Sequence, residues 1–493
     1  MKESLTKLAT RGIIWTGGSQ FITQFFRFAV TIILARLLFP DDFGLIGMAY
    51  IFIGIVRVVN ELGLYAAIIQ RKDINESHLS TTFWVSLIVG ITLCLITIGV
   101  SPLIADFFQE QRVQPILSTL SLIFIIGSFT AIPNALLTKK LNFKKLAIAE
   151  IVAELTSGIL AIVLALVGFG VWSLVWRMLL GNLFLVIILW AVYPWRPSMI
   201  FDFTSFRELF GFSSNVMGAR VLNYVQTNMD YLIIGKFLGA LSLGYYTIAY
   251  QLITFPLRRI SWVITRVTFP TFSIIQEDNV RLRKGYLKAI RYISLVTFPM
   301  IAGLFIISPE FVTVVLGEKW SPAILPLQIL CIAGAVRSVG TVVGSILLPK
   351  GRADIQFKWN AITLALLTSA ILFGVNYGIV GVAIAVTIVI FFMYTGIQII
   401  ANRLIELDSL NYLKAIYPAT TSSIFMILSI FSFKETAFSM GLNSVTILVS
   451  SIILGILVYL VFLKLTWKNV IADIKSIYRD ITDKNRDSKN GER

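Results

Sequence analysis

The sequence predicts an all-α polytopic membrane protein, and three observations lead to that fold class. Hydrophobic residues make up 57% of the chain and charged residues only 14%, whereas soluble domains carry about 25% charged residues. Apolar runs long enough to cross a bilayer recur along all 493 residues. Basic residues are concentrated in alternate connections between those runs. Together these features exclude an ordinary soluble globular protein.

The apolar runs give the number of predicted spans. A helix of about 20 apolar residues crosses the hydrocarbon core of a bilayer. The first run lacks the small-residue cleavage site of a signal peptide, so it counts as a retained span. The fourteen predicted spans lie near residues 12–38, 43–64, 80–105, 115–137, 146–167, 171–193, 207–235, 241–265, 286–308, 323–347, 358–375, 379–401, 412–433 and 442–463.

The distribution of Lys and Arg orients these spans. With both termini in the cytoplasm, thirty basic residues fall in cytoplasmic segments and four in outer ones, as the positive-inside rule requires. The net charge of +16 therefore indicates contact with an anionic membrane surface rather than with nucleic acid. The longest predicted connection, 266–285, is cytoplasmic. The tail from Thr466 is predicted to form a short amphipathic surface helix with a disordered end.

Two stretches of the chain resemble each other. ILARLLFPDDFGLIGMAY, which ends at Tyr50, aligns without gaps with IIGKFLGALSLGYYTIAY, which ends at Tyr250, and Gly44 then matches Gly244. Six spans separate equivalent positions, so the repeat predicts two six-helix lobes related by a pseudo-two-fold axis along the membrane normal. The predicted domains are an N-lobe (1–200), a C-lobe (201–405), two extra C-terminal spans (406–465) and a cytoplasmic tail (466–493).

Eight arginines and no lysines fall deep inside predicted spans. A charged side chain at the bilayer centre costs at least about 2.5–3.5 kcal/mol, so such groups normally face a partner or a water-filled cavity. The guanidinium group is a planar fork of donors that binds phosphate oxygens bidentately. The pattern predicts recognition of a phosphate or carboxylate between the lobes. The candidate substrate-binding residues are Arg27, Arg57, Arg220, Arg258, Arg337 and Gln24.

The same charges also have a purely structural interpretation. Arg57 and Glu61 have the i,i+4 spacing of a helical ion pair, and Arg177 could pair with an acid elsewhere. Glu150 and Glu154 lie one turn apart and are interpreted as partners of arginines or, alternatively, as a proton relay. The candidates for coupling or ion pairing are Glu61, Glu150, Glu154 and Asp230.

Catalytic and metal chemistry find no support in the sequence. The single histidine, His78, lies in a predicted polar loop, while Cys94 and Cys331 lie in apolar runs, so we predict no metal site and no disulfide. The sequence has no nucleotide-binding P-loop, and no connection could hold a catalytic domain. We therefore expect neither a cofactor nor an enzymatic activity.

Four segments resemble the colanic-acid-exporter branch of the polysaccharide transporter family. They are LARLLFPDDFGLIGMAYIFIG, LGLYAAIIQRKDINESHLSTTFW, NMDYLIIGKFLGALSLGYYTIAYQL and LGEKWSPAILPLQIL. The resemblance runs over nearly the whole chain and implies two six-helix lobes in a V, in the superfamily of multidrug antiporters and the lipid II flippase. Members of the family are taken to flip undecaprenyl-pyrophosphate-linked oligosaccharides for exopolysaccharide, O-antigen or teichuronic acid.

The resemblance also implies roles for particular residues. In the lipid II flippase, arginines on the first, second and eighth spans line the central cavity, and the matching spans here carry Arg27, Arg57 and Arg258. By the same analogy, spans thirteen and fourteen would offer a groove for the lipid tail.

The resulting hypothesis is a flippase of the bacterial cytoplasmic (inner) membrane that moves a lipid-linked oligosaccharide by alternating access through a cationic cavity. Membrane lipids, the polymerase and the export machinery are its candidate partners. Three alternatives remain open. A multidrug antiporter of the same fold would need an excess of acids in its cavity, and the lipid II flippase differs only in its substrate. A membrane glycosyltransferase or polymerase would need a large outer catalytic loop.

Overall fold

The structure, a computed structural model, describes residues 5–60, 68, 74–202 and 223–467. Within these ranges it leaves undescribed the side chains of residues 5–14, 59–60, 256, 258–263 and 266–267. Every regular element in the described part is a helix. The chain divides into two compact units, Met1–Thr247 (unit 1) and Ile248–Arg493 (unit 2).

Unit 1 contains seven described helices and the first part of an eighth. They are α1 (Leu5–Leu37), α2 (Pro40–Asn60), α3 (Glu76–Phe108), α4 (Val113–Leu120), α5 (Leu122–Lys139), α6 (Phe143–Leu166), α7 (Val171–Val192) and α8 (Met229–Ile274). The α8 helix is interrupted at Gly239, whose φ of 79° is readily adopted by glycine. The largest helix contacts in this unit join α6 to α1 and to α7.

Unit 2 contains the rest of α8 and seven further α-helices. They are α9 (Asn279–Phe311), α10 (Ile324–Gly340), α11 (Gly344–Leu347), α12 (Ala353–Gly374), α13 (Gly378–Leu404), α14 (Ser409–Ser439) and α15 (Ser444–Thr466). A π-helical turn (Val312–Leu316) and a 3-10 helix (Glu318–Ala323) join α9 to α10. The α14 and α15 helices pack against α9, where Tyr459 Oη donates a hydrogen bond to the Leu295 carbonyl at 2.8 Å.

Five helices begin at an Asn or Asp whose side chain accepts a hydrogen bond from a first-turn N–H. This cap satisfies donors that have no partner within the helix. The capping residues are Asn75, Asn142, Asp278, Asp408 and Asn443. Short polar residues therefore fix the starts of these five helices.

The predicted multi-span all-α architecture is confirmed. Eleven helical segments among the described residues are long and apolar enough to cross a membrane. One of them, Ala353–Leu404, is broken at Gly378, where φ is 70°, and corresponds to the eleventh and twelfth predicted spans. The α2 helix covers most of the second predicted span. The seventh, 207–235, lies mostly outside the described residues, as does the tail after Trp467.

Two expectations about loops were wrong. The connection expected over 266–285 is short, because α8 continues to Ile274 and α9 begins at Asn279. Hydropathy marks only the apolar part of a helix, whereas backbone hydrogen bonding can continue into polar sequence beyond it. His78 does not lie in a loop either. It is buried in the first turn of α3, which Asn75 caps.

Candidate substrate site

The α1 and α6 helices share two polar contacts. Arg27 Nη2 lies 2.6 Å from Glu154 Oε2, and Gln20 Nε2 donates to Glu150 Oε2 at 3.3 Å. Glu150 and Glu154 are one turn apart and therefore lie on the same face of α6. Gln24, the predicted polar neighbour of Arg27, is half-buried on α1.

The α7 helix adds a second arginine to this carboxylate. Arg177 Nη2 lies 3.1 Å from Glu154 Oε1, so each carboxylate oxygen of Glu154 contacts a different guanidinium group. Arg177 also donates to α1, through Nη1 to Thr31 Oγ1 and through Nη2 to the Arg27 carbonyl, both at 3.4 Å. Thr31 Oγ1 in turn donates to the Arg27 carbonyl at 2.7 Å. Arg177 thus ties α1, α6 and α7 together.

Arg27, Glu154 and Arg177 form a triad whose members differ in exposure. The Arg27 side chain is 53% exposed, whereas the side chains of Glu154 and Arg177 are 13% and 14% exposed. Because Glu154 contacts two arginines, it does not neutralise Arg27 one-to-one. The exposed guanidinium keeps donors for an anion, and a planar fork of this kind suits phosphate oxygens.

Two tyrosines extend the site toward α2. Tyr224 Oη donates a hydrogen bond to the Tyr50 carbonyl at 3.2 Å. The Tyr50 side chain lies within electrostatic range of Arg27, and Tyr224 lies within range of Arg57. Arg57 is exposed on α2. Within unit 1, Arg27 is therefore near Tyr50 and Arg57 is near Tyr224.

The other predicted residues have varied surroundings. Arg337, in the last turn of α10, donates a short hydrogen bond to Tyr250 Oη within unit 2. Asp230 is buried in unit 1 and accepts a hydrogen bond from Tyr246 Oη at 2.8 Å. Arg220, Glu61 and the side chain of Arg258 lie outside the described residues, so their predicted roles stay predictions.

Sequence reasoning missed Thr31, Tyr50 and Tyr224 as neighbours of the arginines. One signal was available, because the internal repeat pairs Tyr50 with Tyr250. In the structure Tyr50 lies near Arg27 and Tyr250 contacts Arg337. Within the described ranges, no group of three or more His, Cys, Asp or Glu side chains could hold a metal ion.

A sequence model of the family described as "Polysaccharide biosynthesis protein" matches residues 33–325, which is more than half of the chain. The chain belongs to this family. It is 32% identical to the teichuronic acid biosynthesis protein TuaB of Bacillus subtilis (strain 168), over 74% of this chain and 76% of TuaB. It is 31% identical to the lipopolysaccharide biosynthesis protein WzxC of Escherichia coli (strain K12), over 78% of this chain and 79% of WzxC.

The fold of this family member resembles a solved transporter. The lipid II flippase MurJ, in an inward closed conformation, superposes with a TM-score of 0.75 and 16% sequence identity. The match covers 93% of this chain and 100% of that one. At this identity the likeness concerns the fold alone, and it supports a multi-pass membrane protein.

Proposed function

We propose that this protein is a flippase that moves a polyprenyl-pyrophosphate-linked oligosaccharide across the bacterial cytoplasmic membrane, with both termini in the cytoplasm. Its relatives TuaB and WzxC are named for the biosynthesis of teichuronic acid and of lipopolysaccharide. A polymerase and export proteins would use the flipped unit, and the surrounding lipids would solvate its tail.

The observation that carries this proposal is the half-exposed side chain of Arg27 on a helix that is long and apolar enough to span a membrane. A pyrophosphate and its sugars cannot enter hydrocarbon unaided, because losing their hydration is too costly. Arginines in a polar cavity can replace that hydration with charge-assisted hydrogen bonds. Tyr50 provides a further polar group near Arg27, and Tyr224, which donates to the Tyr50 carbonyl, lies near Arg57.

The charge balance disfavours the multidrug antiporter. Eight arginines but only four acids, Glu61, Glu150, Glu154 and Asp230, lie deep inside the predicted spans. A site for organic cations needs the opposite balance, because like charges repel.

The lipid II flippase is disfavoured on sequence grounds. The likeness to it is at 16% identity, whereas the relatives at 31–32% are named for polysaccharides.

A reconstituted flipping assay tests the proposal. The protein is placed in liposomes with a polyprenyl-pyrophosphate oligosaccharide, and an impermeant glycosidase reports the fraction exposed on the outer leaflet over time. We expect Arg27→Ala to slow flipping about tenfold to a hundredfold, the loss of one charge-assisted hydrogen-bonding group. Arg27→Lys should recover only part of the rate, because an ammonium group lacks the planar fork.

The matched control is Arg352→Ala. Arg352 lies in unit 2, where it forms an exposed ion pair with Asp354 at the start of α12. Its flipping rate should equal that of the unsubstituted protein. Undiminished flipping by Arg27→Ala would refute the proposed site, and efflux of an organic cation without lipid flipping would identify an antiporter.

A further inference from the structure

The two arginines on Glu154 are not equivalent. Arg27 reaches the carboxylate through Nε and Nη2, at 3.3 and 2.6 Å, and both atoms contact the same oxygen, Oε2. Arg177 contacts the other oxygen and is also held on α1 by Thr31 Oγ1 and the Arg27 carbonyl. Arg177 is thus anchored by the protein scaffold, whereas the exposed Arg27 guanidinium is held on one side only.

This asymmetry allows one ion pair to open while the other stays closed. A buried carboxylate that loses its last partner is strongly destabilised, because its charge is left uncompensated. Here the Arg27 guanidinium can move to another anion while Glu154 Oε1 remains 3.1 Å from Arg177 Nη2. The exchange needs no proton transfer to Glu154.

The charge of an arginine on a membrane-spanning helix needs compensation as well, from a partner or from water. Glu154 provides that partner for Arg27, at 2.6 Å. A diphosphate offers more oxygens than the single Oε2 that Arg27 contacts, so it can use the remaining donors of the guanidinium fork.

We propose that Glu154 is the resident counter-ion of Arg27, which the diphosphate of the substrate displaces on binding and which returns to Arg27 on release. Arg177 is the positioning residue that retains the displaced carboxylate. This inference rests on the proposed function. It assigns Glu154 a part in release, because the returning carboxylate competes with the diphosphate for the same guanidinium group.

Binding of an isoprenyl diphosphate tests the exchange. The full-length protein in lipid nanodiscs is titrated with geranylgeranyl diphosphate, and geranylgeraniol serves as the probe without charge. Removing the competing charge in Glu154→Gln should tighten diphosphate binding about tenfold or more, within the range measured for close charge pairs. Flipping by the same variant should slow, because release loses its competitor. Binding of geranylgeraniol should not change.

Asp354→Asn is the matched comparison. Asp354 forms an exposed ion pair with Arg352 at the start of α12 in unit 2, so this variant removes the same charge outside the site. Its effect on diphosphate binding should remain below about threefold, because solvent and salt screen an exposed charge. Equal tightening in both variants would mean that overall charge, not exchange at Glu154, controls affinity, and would overturn the inference.

Glu154→Gln leaves Arg177 without its carboxylate partner, and the diphosphate could then bind to Arg177 itself. A double variant tests for this. Glu154→Gln with Arg177→Gln removes both charges and should still bind the diphosphate more tightly than the unsubstituted protein. If the tightening disappears in the double variant, Arg177 itself binds the diphosphate and the exchange is wrong. Unchanged or weaker binding by Glu154→Gln would also overturn the exchange.

Failure of the inference and failure of the proposed function are distinguishable. Loss of diphosphate binding in Arg27→Ala, together with no tightening in Glu154→Gln, would leave the flippase proposal standing and remove the counter-ion exchange. Equal diphosphate binding by Arg27→Ala and the unsubstituted protein would remove the substrate site itself.

Discussion

A buried ion pair joins α9 to α14 in unit 2. Lys434 Nζ lies 2.7 and 2.8 Å from the two carboxylate oxygens of Glu310 and donates to the Ile306 carbonyl at 3.0 Å. The two side chains are only 13% and 6% exposed. The net value of such a pair is small, because desolvation offsets the attraction, but removing one partner leaves a buried charge.

We expect Lys434→Met to destabilise the protein by about 3–5 kcal/mol, since Glu310 would lose its partner. The measurement is the melting temperature of the detergent-solubilised protein. Lys434→Met combined with Glu310→Gln should recover most of the loss. Arg352→Ala breaks the exposed pair with Asp354 and should leave the melting temperature unchanged. If Lys434→Met alone melted at the same temperature as the double variant, the expected cost of the unpaired Glu310 carboxylate would be contradicted.

At the scale of elements, α2 and α8 cross at two glycines of the internal repeat. A Cβ on Gly44 would lie 1.7 Å from the Ala240 carbonyl oxygen, and a Cβ on Gly244 would lie 1.8 Å from the Pro40 carbonyl oxygen. Adding 200 to position 44 gives Gly244, and subtracting 200 from position 240 gives Pro40, so the repeat relates the two contacts to each other. The crossing therefore has local two-fold symmetry, as in an isologous interface, and both of its sides lie in unit 1.

Gly44→Ala and Gly244→Ala should each force this crossing apart, because the obstacle is backbone rather than a movable side chain. We expect each to lower the melting temperature and the flipping rate. Gly99→Ala is the matched control on α3, since a Cβ there meets nothing within 4 Å. It should be neutral or stabilising by up to about 1 kcal/mol, from the higher helix propensity of alanine. If Gly44→Ala and Gly244→Ala both left the melting temperature and the flipping rate unchanged, the close approach of α2 and α8 would be contradicted.

The elements differ in how far the sequence could predict them. Apolar length predicts the multi-span architecture, but the third predicted span begins near residue 80, whereas α3 begins at Glu76, after its cap Asn75. The repeat correctly paired Gly44 with Gly244, but not their contact, because hydropathy does not specify which faces cross. The partner of Arg177 was equally hidden, since Glu154 and Thr31 reach it through the rotation of three separate helices.

At the scale of the whole molecule, the charge distribution and the helices together predict an orientation. The thirty-to-four bias of basic residues predicts that both termini lie in the cytoplasm. The α14 helix offers a direct test, because its 31 residues would extend about 46 Å, enough to cross a bilayer. Its two ends carry exposed serines, Ser409 and Ser439. The native cysteines, Cys94 and Cys331, are both buried.

This arrangement allows labelling without removing the native cysteines. Ser439→Cys should react with an impermeant maleimide in intact cells, because the connection between α14 and α15 is predicted to lie outside. Ser409→Cys should react only after permeabilisation, because it follows the predicted cytoplasmic end of α13. The two variants are the same conservative substitution, so a difference between them reports sidedness alone. The opposite pattern would invert the predicted topology, and labelling of both ends from one side would show that α14 does not span the membrane.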